Sequence, residues 1–491
     1  MMTKTIADAG QILSVTSECV PLIKSGGLAD VTGALPLALA PHGWRMRVLL
    51  PAYPGLGARL DDPTPVCDLP DLFGGTGQII AGTCGQTEVL ALEAPHLFTR
   101  EGGPYLDPDG RDYPDNPERF AALCWAAMVI CRDGLADGWR PDLVHAHDWQ
   151  GGLVPAYLQQ AGLDIPSVLT IHNIAFQGLA PAERLQGLRL DPALFTPEGP
   201  AEFWGKIGAL KAGLSLATRV TTVSPRYATE LELPEFGMGL EGVIAALPRP
   251  VAGILNGIDT ESWSPETNAA LVANYTATRI EKRKLNRIAL AERFGLDLGE
   301  GPLAAVVSRL TRQKGLDLLP PVIPDFLARG GRLAVLGSGD ADLEAEYAAL
   351  AARYPAQVGF LRGFDEPLAH QIYAGADALL VPSRFEPCGL TQLYALRYGA
   401  VPVVAATGGL ADTVIAANPA SLAAKVATGI VLPRMDAGGL AIALTQLCDL
   451  YADPRAWRQI QKNGLKADFG WDRSGAAYAA LYAQLVQERV A

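Results

Sequence analysis

The chain alternates between short apolar runs and longer stretches with helical spacing. In the first half the apolar runs are Ile12–Thr16, Val48–Leu50, Val89–Leu92, Leu143–His145, Val168–Ile171 and Val220–Val223. In the second half they are Val251–Leu255, Leu303–Ser308, Leu333–Leu336, Val358–Leu361, Ala378–Val381 and Val401–Ala405. Continuous apolar strands between helices predict parallel sheets covered on both faces. Twelve of them suit two doubly wound domains better than one sheet. The pattern breaks at Leu247-Pro248-Arg249-Pro250, which predicts a boundary near Pro248 to Asn256. The expected organisation is a Rossmann-like domain over 1–250, a second over 251–470, and a terminal segment, 471–491, with a helix from about Arg473 to Val490. The insert from Gln177 to Pro200, rich in Pro and Gly, reads as a mobile loop over a cleft.

Bulk properties narrow the function classes. A chain of 491 residues is too long for one core. The net charge of −12 disfavours non-specific binding to nucleic acid or anionic membrane. It leaves room for an anionic small molecule in a local basic pocket. The seven cysteines include no C-x-x-C pair, which argues against a zinc or redox site and fits a reducing cytosol. Met1–Gly10 lacks an apolar signal core, and no apolar run approaches the ~20 residues a membrane span needs. The expectation is a soluble cytoplasmic protein with no metal, no nucleic acid and no membrane partner.

The most informative stretch is Ser383-Arg384-Phe385-Glu386-Pro387-Cys388-Gly389-Leu390-Thr391. It lies between an apolar run and a helical pattern from Thr391 to Tyr398, so it is a strand-to-helix turn at a strand's carboxyl end. In open α/β sheets ligands bind there. Thr407-Gly408-Gly409, before a helix from Leu410, is a second such turn. Two helix N-termini of this kind can point free backbone N–H groups at one anionic ligand.

Lys24-Ser25-Gly26-Gly27-Leu28-Ala29-Asp30 follows the first strand and opens a helix to about Ala40. Its glycines allow close approach of backbone to a phosphate or sugar, and its lysine adds a mobile charge. The lysine precedes the glycines, so this is not a P-loop. Arg309 and Lys314, in Ser308-Arg309-Leu310-Thr311-Arg312-Gln313-Lys314-Gly315, are two cations on one strand-end loop. Such a pair can clamp a diphosphate and stabilise a leaving phosphate; Arg312 reads as solvated.

His172-Asn173 ends another strand and suits either hydrogen bonding to a sugar hydroxyl or loop capping. His145-Ala146-His147-Asp148-Trp149 reads as a structural strand-end cluster or cleft wall, because a metal would need three or four convergent ligands. Asn256-Gly257-Ile258-Asp259 is a turn at the domain junction and a candidate hinge or cleft element.

Together these motifs resemble the ADP-glucose-using bacterial glycogen synthase and plant starch synthase family. The resemblance rests on Lys24 to Val31, Tyr113-Pro114-Asp115-Asn116, His145 to Trp149 and His172-Asn173. It continues through Leu255 to Asp259, Ser308 to Leu310 with Gln313 to Gly315, Ser383 to Gln392 and Thr407 to Thr413. It implies two facing doubly wound Rossmann-like domains of the GT-B glycosyltransferase architecture, with the C-terminal helix returning to the N-terminal domain. The first domain would take the acceptor and the second the nucleotide sugar.

It further implies that Arg309 and Lys314 hold the donor diphosphate and that Glu386 binds the hydroxyls of the transferred glucose. His172, counted as catalytic with Glu386, Arg309 and Lys314, and Asn256 would border the sugar, with Lys24 and Asp30 on the N-terminal side of the cleft. Backbone groups around Leu390, Thr391 and Gly409 would meet phosphates and sugar, with Gly27, Asn173, Cys388 and Gly389 among the substrate-binding residues. Phe364 falls where the family usually has a tyrosine stacked on adenine. The sequence departs from the family pattern at Ser25 (commonly Thr), at Gln150 (often His), and at Ala405-Ala406, where an arginine is usual.

The implied reaction transfers glucose from ADP-glucose to an α-1,4-glucan with retention and no cofactor. Rival readings are a UDP-glucose transferase with a small acceptor, a nucleotide-sugar epimerase and an inactive glucan-binding protein. Nucleotide competition separates the first and product analysis without acceptor the second. Intact Glu386, Arg309 and Lys314 argue against the third.

Overall fold

The computed structural model describes residues 9–490. They divide into two compact units: the chain up to Gly257 together with the segment from Trp471, and Ile258–Gly470. The N-terminal unit contains, in chain order, β1 (Gly10–Val15), β2 (Trp44–Pro51), β3 (Asp61–Leu69), β4 (Gly77–Cys84), β5 (Thr87–Glu93) and β6 (Leu143–His147). After these come β7 (Ser167–Ile171), β8 (Leu179–Pro181), β9 (Glu202–Phe203), β10 (Lys206–Gly208), β11 (Arg219–Thr222) and β12 (Ala252–Gly253). Nine strands form one sheet in the order β12-β11-β7-β6-β1-β2-β5-β4-β3.

That sheet is parallel from β12 to β5, while β4 and β3 add an antiparallel edge. Apolar periodicity misses β3 because the strand is mostly exposed and carries Pro63 and Pro65. Proline is tolerated at a sheet edge, where an N–H can go unpaired.

The unit division lies at the far end of the expected Pro248 to Asn256 stretch, just after Gly257. The proline-rich break at 247–250 follows a short helix, Glu241–Ala245, and does not end the unit. Ala252 and Gly253 pair with Thr221 and Thr222 in the first sheet. The 177–200 insert is not plain loop. Its β8 pairs with β10, and the N–H groups of Leu210 and Ala209 donate to the carbonyls of Gln177 and Gly178 at 3.1 and 3.2 Å. The buried Lys211 ammonium donates to the Gly199 carbonyl at 3.0 Å.

The terminal helix, Trp471–Val490, belongs to this unit. Its Tyr478, Ala479, Tyr482 and Leu485 lie on one helical face and share a core with Ile12, Leu35, Leu39 and Trp44. Trp44 and Tyr482 meet edge-to-face, ring centroids 5.7 Å apart.

The C-terminal unit holds β13 (Leu303–Val307), β14 (Arg332–Gly337), β15 (Val358–Arg362), β16 (Ala378–Val381), β17 (Val401–Val404) and β18 (Ile430–Val431). They form a wholly parallel sheet in the order β15-β14-β13-β16-β17-β18. This is the doubly wound 3-2-1-4-5-6 order. Leu303, Ala305 and Val307 of β13 enter one core with Tyr373, Tyr394 and Leu410. Ala304 and Val306 enter another with Phe326 and Leu444. Burial on both faces is why the strand reads as an unbroken apolar run.

Strand order reverses between β13 and β16 in this sheet and between β1 and β6 in the other. Both reversals open a crevice at the strands' carboxyl ends, the usual ligand position of doubly wound sheets. Among the described residues no helix is long and apolar enough to cross a membrane.

Candidate active site

In the C-terminal unit the loops after β13 and β16 flank the reversal and are tied together. The Arg384 N–H donates to the Gln313 carbonyl at 2.9 Å. The Arg384 guanidinium grips Asp317 at 2.6 and 2.8 Å, and Gln313 Nε2 donates to the Phe385 carbonyl at 3.3 Å. Gly315 sits at φ +68°, and a Cβ there would lie 1.8 Å from the Pro382 carbonyl oxygen, so only glycine allows this approach.

Within the clamp Lys314 Nζ lies 2.9 and 2.6 Å from Glu386 Oε1 and Oε2. Ser383 Oγ donates to Glu386 Oε2 at 2.8 Å. Glu386 is only 8% exposed, yet it borders a small pocket with Lys314, Ser383, Val307, Pro382 and Thr391. Arg309, on the same loop as Lys314, is exposed, and its guanidinium makes no ion pair or hydrogen bond among the described residues. Arg312 is exposed as expected and pairs with Asp342 at 3.1 Å.

Leu390 is the N-cap of the helix Thr391–Tyr398, and no side chain caps that helix's first N–H groups. Gln392 Nε2 fixes the preceding turn by donating to the Cys388 and Gly389 carbonyls at 3.0 and 2.9 Å. Gly409 lies against the 386–388 turn. Its N–H is already engaged, donating to the Glu386 and Pro387 carbonyls at 3.2 and 3.1 Å. It acts as a packing glycine, since a Cβ there would lie 2.1 Å from the Cys388 oxygen. Phe364 follows β15, two strands from β13, and is 72% exposed. It is not drawn into the Lys314–Glu386 group.

In the N-terminal unit the loops after β1, β6 and β7 meet at the other reversal. Glu18, buried, organises the first loop. Its carboxylate accepts from Ser25 Oγ at 2.7 Å and the Gly26 N–H at 3.1 Å, and also from the Ser25 N–H and the Tyr105 hydroxyl. Gly27 begins the helix Gly27–Leu39, and Lys24 pairs with Asp30 at 2.7 Å, both partly exposed.

Asp148, buried after β6, accepts the N–H groups of His172 and Asn173 at 2.6 and 3.2 Å. Burial pushes its carboxyl from 3.8 up to about 7, against those two hydrogen bonds. Asn173 Oδ1 accepts from the Ala175 N–H at 3.0 Å, so that side chain caps its own loop.

His147 Nδ1 lies 3.0 Å from His172 Nε2, and His147 Nε2 lies 3.2 Å from Ser14 Oγ. His145 has both nitrogens engaged, by Thr170 Oγ1 at 2.6 Å and the Tyr482 hydroxyl at 2.7 Å. It therefore ties the terminal helix to the sheet. Burial depresses all three imidazoles: His145 and His172 to about 3, and His147 well below its usual value. Asn256 follows β12, two strands from β7. It is buried, and its Oδ1 has no partner among the described residues.

The linear pattern does not single out Glu18, and it gives Asp148, Ser383 and Gln392 no individual role within their motifs. For Glu18 the only signal is a carboxylate just ahead of a glycine loop. Asp148 acts on backbone groups that become its neighbours only in the fold, whereas Ser383 and Gln392 act locally, on Glu386 and on the Cys388 and Gly389 carbonyls of the same turn.

The same two-unit fold recurs in solved glycosyltransferases. The catalytic domain of starch synthase IV from Arabidopsis thaliana, bound to ADP and acarbose, has a TM-score of 0.86 and 31% identity, covering 98% of this chain and 99% of that one. Sucrose-phosphate synthase from Thermosynechococcus elongatus shares the fold at TM-score 0.61 and 20% identity, covering 98% of this chain and 100% of that one. The architecture is therefore that of the GT-B glycosyltransferases. Residues 11–246 match the starch synthase catalytic domain and residues 291–464 the glycosyl transferases group 1. The glycogen synthase of Cereibacter sphaeroides is 56% identical over 478 residues, 97% of this chain and 99% of that protein. That of Paracoccus denitrificans is 56% identical over 474 residues, 96% and 98% respectively. The chain belongs to the bacterial glycogen synthase and plant starch synthase family.

Proposed function

We propose that this chain is a retaining glucosyltransferase that moves glucose from ADP-glucose to the non-reducing end of an α-1,4-glucan. The observation that carries the reading is the Lys314–Glu386 pair on the loops that also bear the exposed Arg309 guanidinium, at the strand-order reversal of the C-terminal sheet. The names of the full-length relatives support it, as does the ADP bound to the similar starch synthase.

In this reading the C-terminal unit holds the donor. Arg309 and Lys314 grip the diphosphate and stabilise the charge on departing ADP. An ammonium has three N–H donors; two aim at Glu386, which leaves one for a phosphate oxygen. The N–H groups of Leu390 and Thr391 receive further phosphate oxygens, and the Cys388-Gly389 turn presents them. Glu386, fixed by Lys314 and Ser383, orients the glucose hydroxyls and favours positive character at the anomeric carbon. Phe364 stacks on adenine.

The N-terminal unit, with the 471–491 segment, takes the glucan. His172, Asn173, Lys24, Gly27, Asp30 and Asn256 are assigned to sugar contacts there. Attack comes on the face from which ADP leaves. The departing phosphate oxygen takes the acceptor proton, so the reaction as drawn uses no enzyme nucleophile and no cofactor. We place the reaction in the cytoplasm, a reading supported by cysteine usage.

Incubation with labelled ADP-glucose or UDP-glucose plus glycogen tests this. Label entering glycogen from ADP-glucose is the expected result. Free glucose or a 2-epimer as the sole product overturns it.

A further inference from the structure

The hydrogen bonds behind His172 specify which of its nitrogens carries the proton. Ser14 lies in β1, fully buried, and its hydroxyl has one hydrogen-bond partner among the described residues, His147 Nε2 at 3.2 Å. A buried O–H must donate or go unsatisfied at a cost. If His147 carried its proton on Nε2, the Ser14 hydroxyl could only accept, and its own hydrogen would have no acceptor. The hydroxyl therefore donates, and His147 Nε2 is the acceptor.

A neutral imidazole with an acceptor Nε2 bears its proton on Nδ1. His147 Nδ1 lies 3.0 Å from His172 Nε2, so His147 donates there. His172 Nε2 is then an acceptor as well, and its proton sits on Nδ1. That nitrogen has no partner among the described residues, and His172 is only partly buried. The direction of the chain matters only while both rings stay neutral, and burial depresses both.

We propose that Ser14 and His147 are positioning residues that hold His172 as a neutral Nδ1–H donor, aimed at a ligand oxygen. A sugar hydroxyl fits such a donor through its lone pairs. The relay gives His172 one fixed sense, so it is a hydrogen-bond donor and not a proton acceptor. This deepens the proposed function and rests on it where the ligand is a sugar; the tautomer itself does not.

The test is ¹⁵N spectroscopy of the full-length protein labelled at histidine. The sequence has six histidines, so single substitutions assign the signals. The expected result is Nδ1–H tautomers at both His147 and His172, unchanged between about pH 6 and 8, a range above both depressed pKa values. Ser14→Ala should convert His147 to a mixture of tautomers and carry His172 with it. Kinetically it should lower kcat/KM by roughly tenfold, an order below the roughly 10²-fold loss expected when His172→Ala removes one positioned donor. Ser14→Thr, which keeps the hydroxyl, should restore the single tautomer. An Nε2–H tautomer at either ring, or a protonated His172 at neutral pH, overturns the relay. If the tautomers are as stated but His172→Ala leaves glucan elongation unchanged, the relay stands and the sugar-binding assignment falls.

Discussion

Lys314 and Glu386 are paired through both carboxylate oxygens, at 2.9 and 2.6 Å, across two loops 72 residues apart in the chain. Their side chains are 20% and 10% exposed. The two groups assigned to donor phosphate and transferred sugar therefore hold each other in place before any ligand arrives. Such an arrangement is preorganised, so a bound donor loses little free energy in orienting them.

Lys314→Ala is expected to lower kcat by about 10²-fold or more, the scale of losing one preorganised charge-stabilising donor. A loop lysine read from sequence alone would be thought dispensable for folding. The contacts argue for a cost in stability, because removal of the lysine leaves the buried Glu386 carboxylate with Ser383 as its one remaining partner among the described residues. Stability should fall by about 2 kcal/mol, less than the about 3–5 kcal/mol of a fully buried pair because solvent reaches the lysine. Glycogen elongation assays and a thermal melt on the same sample check both effects. Near wild-type turnover in a folded variant would remove Lys314 from the mechanism.

Glu386→Gln is expected to reduce kcat more than it weakens ADP-glucose binding. The amide keeps the shape and the Ser383 contact while losing the charge that favours the transition state. Calorimetric affinity, kcat and the melting midpoint, measured together, separate this from a structural role. A lowered midpoint with unchanged kcat would make Glu386 a loop brace only.

Phe364→Ala should leave stability within about 0.5 kcal/mol of wild type, since an exposed ring contributes little packing. It should raise the KM for ADP-glucose more than it lowers kcat, because base stacking is remote from the bond being broken. The wild type should prefer ADP-glucose over UDP-glucose in kcat/KM. Equal use of both nucleotides, with no KM change in the variant, would dismiss Phe364 as the base platform.

Asp148 gives a pH signature. Its carboxyl titrates at about 7 in the fold against an ordinary value of 3.8. The folded state thus holds a proton that the unfolded state has released between these values. Its stabilising contribution is full below the lower value and is lost as pH rises through the upper one. Asp148→Asn, which keeps an oxygen for the His172 and Asn173 N–H groups, should flatten that part of the stability curve. Denaturant midpoints at pH 5, 6 and 7 read the difference directly. Parallel curves for wild type and variant would mean the group is ionised throughout.

Much of the architecture was already legible in the chain. The twelve apolar runs all became strands, because a parallel strand covered on both faces is predominantly apolar along its length. The loops bearing Arg309, Lys314 and Glu386 could be placed at strand ends for the same reason. The β3–β4 edge hairpin could not be read, since an exposed strand with two prolines has no apolar signature. Nor could the engagement of the Gly409 N–H, because it depends on a carbonyl presented by the 386–388 turn.

The doubly wound class, the strand-end positions of the catalytic candidates and the family all follow from the linear chain. Local periodicity and turn chemistry act over a few residues and survive in the linear string. It took the folded molecule to establish that Lys314 spends two donors on Glu386, that Glu18 shapes the Lys24 loop, and that Ser14 stands behind His147 and His172. These are contacts between strand ends made adjacent by the sheet order, and no local pattern encodes which strands will be neighbours.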